Sequence, residues 1–94
     1  MAKILIIEDE AAIRRVLTKI LTEESKEYQV EEAENGLEGM EKIKDIDYDL
    51  VLCDIKMPKM DGVEVLEVTK KVKPETPMVM ISGHGDLDTA VNTM

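Results

Sequence analysis

Aromatic residues are almost absent from this chain of 94 residues, which has no tryptophan, no phenylalanine and two tyrosines. A chain of this size buries only about 60–68% of the surface that its unfolded form exposes. The core must therefore be built from isoleucine, leucine, valine, methionine and alanine. We expect one small domain that folds with little stability to spare.

Cysteine is equally scarce. The single cysteine, Cys53, cannot form an internal disulfide, and the one histidine, His84, does not combine with it into a zinc-ligand pattern. A chain without disulfides suits a reducing compartment, so we expect a cytoplasmic protein. Cys53 lies within an apolar run, which favours a small buried hydrophobe over a reactive thiol.

Positive charge and long apolar runs are also in short supply. The chain has 12 Lys and Arg against 21 Asp and Glu, a formal net charge of −9. Direct binding to nucleic acid or to an anionic membrane requires clustered basic residues, so we exclude both. The apolar run near the start, residues 4–7, is too short for a signal peptide or a membrane span.

The remaining pattern alternates short apolar runs with longer segments of helical period, which predicts a single α/β domain over residues 1–94. Residues 4–7, 50–53 and Met78–Ile81 are continuously apolar, as expected for parallel strands covered on both faces. The segment Tyr28–Ala33 is more charged and suits an edge strand. We therefore predict a parallel sheet with helices on both faces.

Apolar residues at helical spacing predict one helix after each of the first three strands, with Asn35 and Asp61 as N-caps of the second and third. The stripe of the first helix is formed by Ile13, Val16, Leu17, Ile20 and Leu21. The predicted inward residues of the other two are Leu37, Met40 and Ile43, and then Val65, Leu66, Thr69 and Val72.

The last residues suggest an unfinished domain. From Asp86 the helical spacing resumes, but no capping signal follows before the sequence stops. The strand Met78–Ile81 also lacks the charges and prolines that protect sheet edges. We therefore expect a domain that is incomplete at its C-terminus and forms a homo-oligomer through this uncovered edge.

Polar side chains follow the predicted strands at one edge of the sheet, where open parallel sheets bind ligands. They are Glu8, Asp9, Asp54 and Ser82. Acidic residues can simply favour the positive end of a following helix, but their placement at several strand ends favours a shared pocket. Carboxylates that converge repel one another unless a proton or a cation intervenes. Oxygen ligands without histidine or cysteine indicate Mg²⁺.

Three segments resemble the receiver domain of two-component response regulators. IIEDE is similar to the acidic pair after the first strand, LVLCDIKMPKMDG to the phosphoacceptor strand and its loop, and PMVMISGHGD to the strand that ends in the switch hydroxyl. KILIIEDE together with PMVMISGHGDLDTAV most resembles regulators of the nitrogen-regulatory activator type. The resemblance implies a flavodoxin-like receiver fold of strand order 2-1-3-4, with the family's fifth strand and last helix absent.

The resemblance also implies residue roles. Asp54 accepts a phosphoryl group from a phosphohistidine of a sensor histidine kinase, and Ser82 donates a hydrogen bond to that group. Asp9, Asp54 and the backbone carbonyl of Lys56 bind Mg²⁺, and Glu8 acts through water. The signal then passes to an output domain, which we expect to act in transcription. The domain assists its own phosphorylation and dephosphorylation without being a turnover enzyme.

The sequence also allows other interpretations. The family's lysine that pairs with the phosphoryl group belongs to the missing part, so a phosphorylation-incompetent pseudo-receiver or a truncated interaction module is the main alternative. A flavin or nucleotide site is disfavoured because Glu8, Asp9 and Glu10 would repel phosphate. A haloacid-dehalogenase-type phosphatase requires a second aspartate two residues after the nucleophile, where this chain has Lys56. His84 receives no acid–base role.

Overall fold

The computed structural model describes residues 1–55, 57 and 60–81. Four parallel strands form one sheet in the order β2-β1-β3-β4, which confirms the predicted fold class and strand order. Strands and helices alternate along the chain: β1 (Ala2–Ile7), α1 (Ala11–Glu24), β2 (Tyr28–Ala33), α2 (Gly36–Asp45), β3 (Leu50–Asp54), α3 (Gly62–Val72) and β4 (Met78–Ile81). The predicted helix from Asp86 lies outside the described residues.

The sheet is built around β1, which pairs with β2 on one side and β3 on the other. Its residues Leu5, Ile6 and Ile7 have no solvent exposure. Because consecutive side chains of a strand point to opposite faces, both faces of β1 are covered, as its continuous apolar sequence predicts. The charged strand β2 lies at the sheet edge, also as predicted.

The helices divide between the two faces of the sheet. The chain passes from β1 to β2 in one direction and then returns past β1 to β3 and β4. Crossovers between parallel strands are right-handed, so this reversal places α1 on one face and α2 and α3 together on the other. Consistent with this, α2 packs against α3, whereas α1 packs against β1 and β2. No helix in the described ranges is long and apolar enough to cross a membrane.

Both predicted N-caps are present. The side chain of Asn35 accepts a hydrogen bond of 2.9 Å from the backbone N–H of Glu38, and Asp61 accepts one of 3.0 Å from Glu64. Each cap satisfies a backbone donor that the first helical turn leaves without a partner. The caps fix where α2 and α3 begin relative to the loops before them.

The predicted helical stripes are only partly buried. Met40, Ile43, Val65 and Thr69 are buried as predicted, and Leu66 is half-buried. Helix α1 has no buried residue, and Val16 and Ile20 remain 57% and 56% exposed. Its contacts are with the edge strand β2 and with β1, and no second helix of the described part lies beside it.

Two further inward assignments are wrong. Leu37, in the first turn of α2, and Val72, the last residue of α3, are exposed by 53% and 44%. Both stand at a helix end, where the neighbouring turn on one side is missing and less of the side chain is covered. The apolar spacing therefore identified the inward face of these helices but not how far burial extends along them.

Candidate functional site

The connection from β1 runs to β2 on one side, and the following connections run to β3 and β4 on the other side. This change of direction creates a crevice at the carboxyl ends of β1 and β3. In the register of these strands, Ile7 lies opposite Cys53. The next residue along the chain is Glu8 after the end of β1, and it is Asp54 at the end of β3. Glu8 and Asp54 therefore lie at the same level on neighbouring strands. This is the position where open parallel sheets bind ligands.

Three carboxylates meet in this crevice. One oxygen from each of Glu8, Asp9 and Asp54 can be chosen so that all lie within 4.8 Å of one another. Glu8 and Asp54 have no solvent exposure, and Asp9 is half-buried. The structure thus brings together the three acidic residues that the sequence assigns to one pocket.

The crowding of negative charge changes the proton affinity of Glu8. Burial raises the pKa of Glu8 to about 8, assisted by its contact with Asp54 and by the charges of Asp54, Asp9 and Glu10. A carboxylate that is taken out of water beside other carboxylates is costly to ionise. Without a cation, burial beside Asp54 and Asp9 therefore favours the protonated form of Glu8.

The cluster also fits a divalent cation. No N–H or hydroxyl group of the described residues donates a hydrogen bond to the oxygens of Glu8 or to Oδ1 of Asp9, although these atoms are buried. Buried carboxylate oxygens that accept no hydrogen bond are costly when ionised, and a cation would offset that cost. Carboxylate oxygens are the ligands that Mg²⁺ prefers, so Glu8, Asp9 and Asp54 are the described residues that could hold it.

The remaining predicted site residues, Lys56 and Ser82, lie outside the described residues. The sequence assigns Lys56 a metal-binding backbone carbonyl and Ser82 a hydrogen bond to a phosphoryl oxygen. Both assignments stay predictions.

Two glycines lie against the backbone of Asp54 and Met60. A Cβ atom on Gly62 would lie 2.3 Å from the backbone oxygen of Asp54, and one on Gly36 would lie 2.0 Å from the backbone oxygen of Met60. Real contacts are never this short, so any larger residue would displace the backbone that follows the acidic strand end. The sequence alone did not indicate that these glycines lack room for a side chain, although each directly follows a helix N-cap, which is a usable signal.

A comparison with protein families places these features in context. The family model described as "Response regulator receiver domain" matches residues 4–94, almost the whole chain. The chain belongs to the response regulator receiver domain family. This confirms the resemblance seen in its three sequence segments, and the acidic crevice lies where that resemblance places the phosphoacceptor site.

Individual relatives agree with the family match. The transcriptional regulatory protein ZraR of Klebsiella oxytoca is 36% identical over 91 residues, which cover 97% of this chain and 20% of ZraR. The chain thus spans about a fifth of the length of that curated relative. Among solved structures, the receiver domain of NtrC4 from Aquifex aeolicus is 35% identical with a TM-score of 0.79, covering 97% of this chain and 74% of that one. These similarities confirm a receiver of the nitrogen-regulatory activator type.

A third relative was solved with ligands. The response regulator protein TrrA from Thermotoga maritima, in complex with Mg(2+)-BeF, is 33% identical with a TM-score of 0.85, covering 99% of this chain and 79% of TrrA. TrrA was also solved in complex with the histidine kinase ThkA, and there the identity is 36% and the TM-score 0.82, covering 90% of this chain and 72% of that one.

Proposed function

We propose that this receiver domain accepts a phosphoryl group on Asp54 from a phosphohistidine of a sensor histidine kinase, with Mg²⁺ bound in the acidic crevice. The observation that carries the proposal is the convergence of Glu8, Asp9 and Asp54 within 4.8 Å at the carboxyl ends of two neighbouring strands. A cation relieves the repulsion between these carboxylates, and it can also bind the oxygens of an anionic phosphoryl group.

In the proposed reaction, a carboxylate oxygen of Asp54 forms a bond to phosphorus while the phosphorus–nitrogen bond to the kinase histidine breaks. The electron pair of that bond returns to the imidazole nitrogen. Mg²⁺, when bound, offsets the charges of the phosphoryl oxygens and the carboxylates. Asp54 is held for this attack because it ends β3 and its backbone is fixed by pairing with β4.

The other residues assist Asp54. Asp9 would bind the cation directly, and Glu8, whose raised pKa favours its protonated form, would act through water once ionised. Cation binding competes with protons wherever the ligands must ionise. From the family resemblance, the backbone carbonyl of Lys56 completes the metal site and Ser82 donates a hydrogen bond to a phosphoryl oxygen.

The partners follow from the same proposal. The solved complex of TrrA with the kinase ThkA supports a sensor histidine kinase as phosphoryl donor. ZraR is a transcriptional regulatory protein. This supports a transcriptional output domain as the part to which the receiver domain passes the signal. The chain acts in the cytoplasm as a phosphoacceptor that changes its own phosphorylation state, not as a turnover enzyme. Residues 1–94 belong to the receiver domain.

The test is intact-mass spectrometry after incubation with acetyl phosphate and Mg²⁺. We expect the parent to gain one phosphoryl group only when Mg²⁺ is present, and Asp54→Asn to gain none. Asp45→Asn serves as the matched control, because Asp45 is an exposed aspartate at the end of α2, and it should be labelled like the parent.

Circular dichroism must show that all three proteins are folded. Persistent labelling of Asp54→Asn would refute the assignment of the acceptor. A folded parent that gains no phosphoryl group would refute the phosphoacceptor function and favour an interaction module that keeps only the receiver fold.

A further inference from the structure

Arg14 connects helix α1 to the strand end that carries the acidic pair. Its Nη1 donates a hydrogen bond of 2.7 Å to the backbone carbonyl oxygen of Glu8, and its Nε donates one of 2.8 Å to Oε1 of Glu32. The side chain of Arg14 is only 15% exposed. The guanidinium group, with several donors in a rigid plane, can hold both acceptors at once.

The hydrogen bond to Glu8 fixes a particular peptide group. The carbonyl that Arg14 holds belongs to the peptide bond between Glu8 and Asp9, two of the three clustered acids. On the other side of the same residue, the backbone N–H of Glu8 donates to the oxygen of Ala33 at 3.0 Å. The backbone of Glu8 is thus held at both ends, and this limits the directions that the two carboxylates can take.

The charge of Arg14 has an effect opposite to that of its hydrogen bonds. A guanidinium near the carboxylates repels an incoming cation, so removing its charge alone should strengthen cation binding. Glu32 pairs with the guanidinium at 2.8 Å and balances much of that charge. Once this charge is balanced, the main effect of Arg14 on the site is its directional hydrogen bond to Glu8. This bond restricts the backbone of Glu8 and Asp9 before a cation binds.

We propose that Arg14 is a positioning residue for the divalent-cation site, which acts by holding the peptide between Glu8 and Asp9. The proposal rests on the proposed function only insofar as Mg²⁺ binds to the acidic crevice. When Arg14 is replaced by an apolar residue, a positioning role predicts weaker Mg²⁺ binding and a purely electrostatic role predicts tighter Mg²⁺ binding. One measurement of Mg²⁺ affinity therefore separates the two roles.

The experiment measures the dissociation constant for Mg²⁺ by titration calorimetry on folded protein. Loss of a group that orients metal ligands typically weakens metal affinity by about 10-fold or more, and we expect a loss of about 10-fold for Arg14→Met. Arg15→Met is the matched control, because Arg15 is exposed on the same turn of α1 and carries the same charge. Its affinity should stay within about twofold of the parent.

Arg14→Lys is the second variant, and it keeps the charge while replacing the two-pronged fork by a single ammonium group. We expect its affinity to lie between those of the parent and Arg14→Met. Urea unfolding without Mg²⁺ measures the stability of each variant separately. If Arg14→Met does not fold, the Mg²⁺ affinity of Arg14→Lys decides between the positioning role and the electrostatic role.

The outcomes separate the two ideas. An unchanged or tighter affinity in folded Arg14→Met, or an affinity in Arg14→Lys equal to that of the parent when Arg14→Met does not fold, would overturn the positioning role. A parent that does not bind Mg²⁺ would instead refute the metal site of the proposed function, and with it the ground on which the role of Arg14 stands.

Discussion

Replacing Glu8 by glutamine should stabilise the metal-free protein at neutral and mildly alkaline pH. Glutamine keeps the size of the side chain but cannot ionise. In the parent, Glu8 is buried beside Asp54 and Asp9, and its pKa is raised from 4.5 to about 8. The folded state therefore binds this proton more tightly than the unfolded state does.

The sign of the pH dependence follows from this difference. Below about pH 4.5 both states are protonated and the stability contributed by the proton is fully present. Stability then falls as pH rises from 4.5 to about 8, because unfolding releases the proton. A tenfold change in proton affinity is worth about 1.4 kcal/mol, so the whole rise corresponds to about 5 kcal/mol.

Relaxation of the structure and entry of water reduce the cost of a buried charge. We therefore expect the parent, without Mg²⁺, to lose about 2–4 kcal/mol of unfolding free energy between pH 5 and pH 8 relative to Glu8→Gln. This is a large part of the stability of a small domain, which is about 5–15 kcal/mol.

The assay is urea unfolding followed by circular dichroism at several pH values, with EDTA and then with excess Mg²⁺. Glu67→Gln is the control, because Glu67 is exposed on α3, and it should follow the pH dependence of the parent. Any titration of His84 is common to all three proteins and cancels in their differences. Excess Mg²⁺ should stabilise the parent more than Glu8→Gln and flatten its pH dependence.

Equal pH dependence in Glu8→Gln and Glu67→Gln would refute the reasoning, since it would mean that Glu8 ionises in the folded protein as it does in the unfolded chain.

Three further predictions concern other parts of the molecule. Burial raises the pKa of the Cys53 thiol to about 12, so a thiol reagent should modify it only after urea unfolding; rapid labelling of folded protein would contradict this. Asn35→Ala removes the cap of α2 and should cost about 1 kcal/mol in urea unfolding, whereas an unchanged midpoint would argue against the cap. Self-association, expected from the apolar strand β4, stays a prediction, and sedimentation equilibrium that shows only monomer at high concentration would refute it.

The sheet and the acidic crevice could be predicted from the sequence because both depend on local patterns. Residues 4–7 and 50–53 are continuously apolar, which identifies strands covered on both faces. The carboxyl ends of parallel strands meet at one edge, so Glu8, Asp9 and Asp54 had to lie together once those strands were recognised. The caps at Asn35 and Asp61 were predictable for the same local reason.

What could not be predicted depends on contacts between distant parts of the chain. Apolar spacing identified the stripe of α1, but it does not say how much surface covers that stripe, and Val16 and Ile20 are largely exposed. Arg14 meets Glu32 across 18 positions of sequence, and the backbone of Asp54 leaves no room for a side chain at Gly62. No periodicity records such contacts.

The central place of β1 has a consequence for how the protein is made. This strand is synthesised first, yet it lies between two strands that are synthesised later. Ile4 pairs with Leu50, and at about 5–20 residues per second the ribosome needs about 2–9 s to add the residues between them. During that interval the most apolar segment of the nascent chain has no partner on the β3 side. The acidic residues Glu8 to Glu10 directly follow β1. Their negative charge disfavours the pairing of the unpaired β1 segment with other chains.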